Sequence, residues 1–135
     1  MNVGLVFGVF DGLHDGHRAM LEQARFCVDR LVVALPSDAV VERLKARPPS
    51  RSWDARADEL RASGLVDEVV QGDETEGEYH ILETVKPDVI LLGYDQDELR
   101  KDLERFLSLR TTHYVLRTLA PHHPERYKSS LLNPV

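Results

Sequence analysis

The chain has 135 residues, 42% of them hydrophobic, and its 17 Lys and Arg against 23 Asp and Glu give a formal charge of -6. That length fits one domain over residues 1–135 with a real core, without room for a tRNA-binding appendage or a second catalytic module. Net acidity argues against a nucleic-acid groove, no apolar run approaches the ~20 residues of a membrane span, and the immediate entry into a strand leaves no signal peptide; a soluble cytoplasmic protein is expected.

The apolar run Val3–Phe7 predicts the first strand, and Gly8-Val9-Phe10-Asp11-Gly12-Leu13-His14-Asp15-Gly16-His17 follows it directly. Glycines at 8, 12 and 16 allow a tight turn and leave main-chain N–H groups open to an anion. A helical pattern over 16–29 adds the positive end of its dipole. His14 and His17 are three apart, so both imidazoles can meet one ligand at the helix start, which suits chemistry in which charge grows on phosphate. A solvated loop or a metal pair is the alternative. Zinc is disfavoured because Cys27 stands alone and His122-His123 are adjacent rather than spaced for chelation. Cys27 falls on the apolar stripe of this helix and reads as a small core residue.

Residues 31–35 predict a second strand, ended by Pro36-Ser37-Asp38, and a helix over 38–46. Asp38 reads equally as an acid near a substrate or as the N-cap of that helix. Arg43, Lys45, Arg47, Arg51, Arg56 and Arg61 make residues 43–61 basic, with Arg47-Pro48-Pro49-Ser50-Arg51 as a candidate mobile loop over a small phosphorylated ligand. A helix over 54–63, a strand over 66–70 and a helix over 78–86 follow, the last two within an acidic stretch. Then comes a strand over 89–92 that ends in Gly93-Tyr94-Asp95-Gln96, where Tyr94 can pack against a base and Asp95 either caps the next helix or meets a nucleotide. A helix over 97–110, with Leu99, Leu103, Phe106 and Leu107 on one face, and a strand over 114–116 complete the pattern.

Strand–helix alternation predicts an α/β fold, a Rossmann-like doubly wound sandwich around a five-stranded parallel sheet. In such folds ligands sit beyond the carboxyl ends of the strands, and 8–17, 36–38, 93–96 and 117–130 all fall there. His122 and His123, flanked by Pro121 and Pro124, read as loop residues.

Residues 8–17, together with Leu92-Gly93-Tyr94-Asp95-Gln96 and Tyr127-Lys128-Ser129-Ser130, resemble the cytidylyltransferase-like nucleotidyltransferases across nearly the whole chain. The resemblance is to the small archaeal-type members, including the FAD synthases and glycerol-3-phosphate cytidylyltransferases. It implies transfer of a nucleoside monophosphate from ATP or CTP to a small phosphorylated acceptor, with FMN slightly preferred over a polyol phosphate. A nucleotide-binding sensor that has lost transfer activity is the reading from another class. By resemblance, His14, His17 and Lys45 act on the reacting phosphates, and Gly8, Val9, Phe10, Asp11, Asp15, Gly16, Gly93, Asp95, Ser129 and Ser130 bind nucleotide. Asp38 and Arg56 would meet the acceptor. Mg²⁺ is expected to arrive on the triphosphate, with no metal site in the protein itself, and a homodimer is implied. The chain ends five residues after Ser130, so the helix that the serine pair opens in the family is expected to be very short here or completed by another chain.

Overall fold

The computed structural model describes residues 2–75, 77–110 and 114–121. Its elements run β1 (Val3–Phe7), α1 (Asp15–Cys27), β2 (Arg30–Leu35), α2 (Asp38–Lys45), α3 (Trp53–Ala62), β3 (Glu68–Gln71), α4 (Ile81–Val85), β4 (Val89–Leu92), α5 (Asp97–Ser108) and β5 (Val115–Thr118). All five strands pair in parallel in the order β3-β2-β1-β4-β5, so strand order reverses beside β1. The fold is the α/β sandwich that the strand–helix alternation predicts.

Alternation along the strands divides the core into two layers. Val6, Leu31, Val33, Leu35, Val69 and Leu91 face α1 and α3, meeting Leu21, Ala24, Ala57 and Leu60. Leu5, Val32, Ala34, Ile90 and Leu92 face α4 and α5, meeting Ile81, Leu82 and Leu103. A parallel strand buried on both faces reads as a continuous apolar run, which is why the strands were visible in the sequence. Cys27 is only partly buried, at the edge of the first layer, rather than a core residue.

The boundaries that differ from expectation have local causes. α1 stops at Cys27 because Val28 is already extended, while Asn2 bonds to Asp29 and Arg30 through its backbone. β3 begins at Glu68 because the Asp67 carboxylate accepts from Leu31 N and from Arg25. Leu65 and Val66 cover the core instead of joining the sheet. α4 is shorter than the expected 78–86: Tyr79 has φ +49°, and Asp73 takes the N–H groups of His80 and Ile81 at the helix start. Among the described residues no helix is long and apolar enough to cross a membrane.

One side chain closes the gap at the reversal. Gln96 accepts from Gly93 N at 2.8 Å and donates to Phe7 O at 2.8 Å, joining the ends of β4 and β1 just where the ladder between them has finished. Gln96→Ala should lower stability by about 1–2 kcal/mol in urea unfolding, and Gln96→Glu by at least as much, since a carboxylate cannot donate to Phe7 O. Equal stability of Gln96→Glu and wild type would remove this bridge from the account.

Candidate active site

A cavity of about 1110 Å³ opens above the carboxyl ends of β1 and β2. The turn after β1 forms its inner wall. Phe10 holds φ +48°, a left-handed conformation that is costly for a bulky residue, and its ring is buried in the first core layer. That ring occupies the space a Cβ on Gly8 would need, which would lie 2.5 Å from it. Gly8 therefore makes room for the Phe10 ring, and it also lines the cavity. Gly16 is similar: a Cβ there would sit 3.0 Å from the His14 ring.

His14 is the N-cap of α1, and its Nδ1 accepts from Gly16 N at 3.1 Å and His17 N at 3.3 Å. An imidazole nitrogen that accepts two N–H groups carries no proton, so the neutral ring holds its proton on Nε2. His17 is fixed in the opposite sense. Its Nδ1 lies 3.2 Å from Gly12 O, a carbonyl that can only accept, so Nδ1 donates and the neutral ring has its lone pair on Nε2. The two rings stack at 3.6 Å between centroids and 19° between planes, and Phe10 packs edge-on against His17 at 5.1 Å. Burial, and then the neighbouring His14, hold the His17 pKa below its ordinary 6.5, although the Gly12 bond, Asp95 and Glu59 pull the other way.

Asp11 reaches across the cavity mouth to the proline-rich segment, where its carboxylate accepts from Ser50 N at 2.7 Å and Arg51 N at 2.9 Å. Those bonds, chiefly the one to Ser50, hold its pKa below the usual carboxylate value. The loop expected to be mobile is thus tied at its far end to the β1–α1 turn. Of the six cations over 43–61, Arg43 donates to Glu74 O, Arg51 pairs with Glu59, Arg61 with Asp58 and Arg56 with Asp38. Lys45 and Arg47 make no ion pair among the described residues, and both line the cavity.

Arg56 departs most from expectation. Its side chain is 0% exposed, and its guanidinium donates to Arg51 O, Val9 O and Pro36 O at 3.1 Å each and to Asp38 at 2.7 Å. A group with no surface cannot touch an acceptor. Arg56 instead ties the turn after β1, the end of β2 and the start of α3 to one another. Asp38 is half-exposed but faces Arg56 and does not line the cavity, and the N-cap is Ser37, which accepts from Val40 N.

Gly8, Val9, Phe10, Asp11, His14, His17, Lys45 and Asp95 come together around the cavity; Asp15, Gly16, Asp38, Arg56 and Gly93 do not line it. Gly93 gives its N–H to Gln96 and leaves space for Asp95 to fold back, since a Cβ there would meet Asp95 Oδ1 at 3.1 Å. Tyr94 is exposed outside the cavity. His122, His123, Lys128, Ser129 and Ser130 lie outside the described residues. The sequence reading missed the roles of Gln96 and of the Asp11–Ser50 tie, because side-chain to backbone bonds between distant segments leave no periodic signal.

Residues 5–132 match the model of the family described as cytidylyltransferase-like. The FAD synthase of Pyrococcus abyssi (strain GE5 / Orsay) is 39% identical over 127 residues, covering 93% of this chain and 86% of that protein. The bifunctional protein HldE of Hyphomonas neptunium (strain ATCC 15444) is 43% identical over 96 residues, or 70% of this chain and 20% of that protein. Among solved structures, the lipopolysaccharide core biosynthesis protein from Thermoplasma volcanium GSS1 superposes with a TM-score of 0.81 at 27% identity, covering 91% of this chain and 99% of that one.

Two measurements follow from this geometry. Arg56→Ala should cost about 3 kcal/mol in urea unfolding because three carbonyls lose a buried donor, whereas Asp38→Asn, at a half-exposed partner, should cost under about 1 kcal/mol. The reverse order would contradict the hub role. For His17, a folded pKa below the unfolded one means stability that is complete above 6.5 and is lost as the pH falls through 6.5 toward the lower folded value. A bound polyanion favours the imidazolium and raises that pKa. Calorimetric titration with inorganic triphosphate near pH 6.5, in two buffers of different ionisation enthalpy, should therefore show proton uptake by wild type that disappears in His17→Gln. Equal uptake by both proteins would rule out His17 as its source.

Proposed function

The chain belongs to the cytidylyltransferase-like family and is a nucleotidyltransferase, and from that premise we propose that it adenylylates FMN, using ATP and releasing pyrophosphate. The observation that carries this reading is the stacked pair His14 and His17 on the cavity wall, both rings fixed through Nδ1 so that both Nε2 atoms remain for phosphate. The archaeal FAD synthases, 39% identical over nearly the whole chain, support ATP and FMN as the substrate pair.

In the proposed step a phosphate oxygen of FMN attacks the α-phosphorus of ATP in line. The new O–P bond forms as the bond from the α-phosphorus to the bridging oxygen breaks, and that oxygen leaves with the electron pair as part of pyrophosphate. His14 donates Nε2–H to the reacting phosphate from the outset. His17 acquires its second proton when the polyanion docks, which turns its Nε2 from acceptor to donor. Lys45 and Arg47, on the rim and without an ion pair among the described residues, meet the β- and γ-phosphates, while Asp11 and Arg56 hold their segment in place. Catalysis then rests on positioning and on donors aimed at growing charge.

Mg²⁺ is part of the substrate in this reading, the counter-ion of the triphosphate. Among the described residues no group of three or more His, Cys, Asp or Glu stands ready to hold a metal. The Ser129-Ser130 pair as a triphosphate clamp and the homodimer rest on the family resemblance alone, and the cytoplasmic setting rests on the sequence alone.

Pyrophosphate release is the test, with ATP and CTP each offered against FMN, glycerol 3-phosphate and sugar phosphates. ATP with FMN should dominate, and His17→Ala should lower turnover by about 100-fold or more with the fold intact. Preference for CTP with a polyol phosphate would replace the acceptor and the base. Turnover of His17→Ala within about threefold of wild type would remove the catalytic assignment, and no release with any pair would favour the sensor reading.

A further inference from the structure

The chain entering α3 is fastened at successive points. Arg51 gives its N–H to Asp11, and its carbonyl accepts from Arg56 Nε, so its side chain leaves from a fixed place. The guanidinium then lies against the open face of Gly12, 3.9 Å from where a Cβ would stand, and donates to Glu59 Oε1 at 2.6 Å. Gly12 is the residue whose carbonyl orients His17, 3.2 Å from its Nδ1, and its φ of +103° is a conformation that favours glycine. One line of contacts thus runs from α3 through Arg51 and Gly12 to His17.

This ion pair differs from its neighbour on the same helix. Arg61 and Asp58 meet in solvent, with Asp58 75% exposed, whereas Glu59 is 28% exposed and reaches back over eight residues to Arg51. Water screens the first pair almost fully; a carboxylate turned toward the histidine turn acts on what lies there with less screening. Arg51, the more exposed partner, is the better screened of the two.

We propose that Glu59, held by Arg51 behind the histidine turn, is a positioning residue for the imidazolium form of His17, an inference that rests on the protonation of His17 at polyanion docking given under Proposed function. On the turn and helix of His17 itself stand Asp11, His14, Asp15 and Arg18. Asp95 comes from the turn after β4, Arg51 from the segment before α3, and Arg56 and Glu59 from α3. Burial and His14 oppose a charge on His17, while Asp95 and Glu59 favour it. The two carboxylates are placed differently. Asp95 lines the cavity, where an incoming polyanion meets it, but Glu59 does not. A carboxylate outside the cavity favours the second proton on His17 without facing the triphosphate.

The test is an NMR titration of the His17 ring in the free full-length protein, with FAD formation followed against pH, in wild type, Glu59→Gln and Asp58→Asn. Gln at 59 keeps an acceptor for Arg51 and removes only the charge, so the thermal midpoint should stay close to wild type. Loss of that anion should move the His17 midpoint to lower pH, and the alkaline limb of kcat should move with it. Above the limb kcat should fall by about two- to fivefold, with the KM values for ATP and FMN within about twofold of wild type. Asp58→Asn, one residue away on the solvent side, should leave both unchanged. A His17 midpoint that does not move in Glu59→Gln, or moves equally in Asp58→Asn, would overturn this inference and leave the proposed reaction standing. A midpoint that moves while the kcat profile stays as in wild type would mean that the second proton on His17 is not used in transfer. That role of His17 would then fail, and the inference with it.

Discussion

The site depends on an imidazole that caps its own helix. Helix starts ordinarily use Ser, Thr, Asp or Asn to take up the first free N–H groups. Here the Nδ1 of His14 does so, accepting from Gly16 and His17. Because the cap uses the lone pair of that nitrogen, it selects a tautomer and fixes the ring plane at once. The same turn of backbone places His17 three residues on, in stacking contact, and the Gly12 carbonyl selects the opposite tautomer for it. One helix terminus thereby yields two imidazoles whose Nε2 atoms differ: one is already a donor, the other a donor only after protonation.

This geometry is held from behind by the scaffold. Phe10 accepts a left-handed backbone so that its ring can enter the core and brace His17. Arg56, wholly buried, fastens the carbonyls of Val9, Pro36 and Arg51 together, and Asp11 ties the turn to Ser50 and Arg51. Lys45 and Arg47, which make no ion pair among the described residues, therefore sit on a stretch of chain anchored to the turn that carries the histidines. A burden of strain and buried charge at this place is tolerable because three elements share it.

Much of this was legible in the sequence, for reasons particular residues make clear. Runs such as Leu31–Leu35 are apolar throughout because both faces of a parallel strand are covered, and Leu99, Leu103, Phe106 and Leu107 repeat at helical spacing, so elements and order could be read directly. The histidines were legible because a glycine-rich turn between a strand and a helix has few other uses. What the sequence hid was the target of each polar side chain. Arg56 looks like any surface cation until the fold encloses it, Ser37 and Asp38 are equal candidates for one cap, and Gly8 and Gly16 look like anion-facing glycines although neighbouring rings fill their space. These outcomes depend on contacts between residues 18 to 47 positions apart, or on rotamers, and neither imprints a period.

The measurement that bears most directly on the central claim is the tautomeric state of the two imidazoles in the free protein, from ¹⁵N chemical shifts and two-bond couplings above the His17 transition. Opposite neutral tautomers are predicted: the proton on Nε2 in His14 and on Nδ1 in His17. The same tautomer in both rings, or a protonated Nδ1 in His14, would contradict the cap and with it the account of how the histidines are aimed.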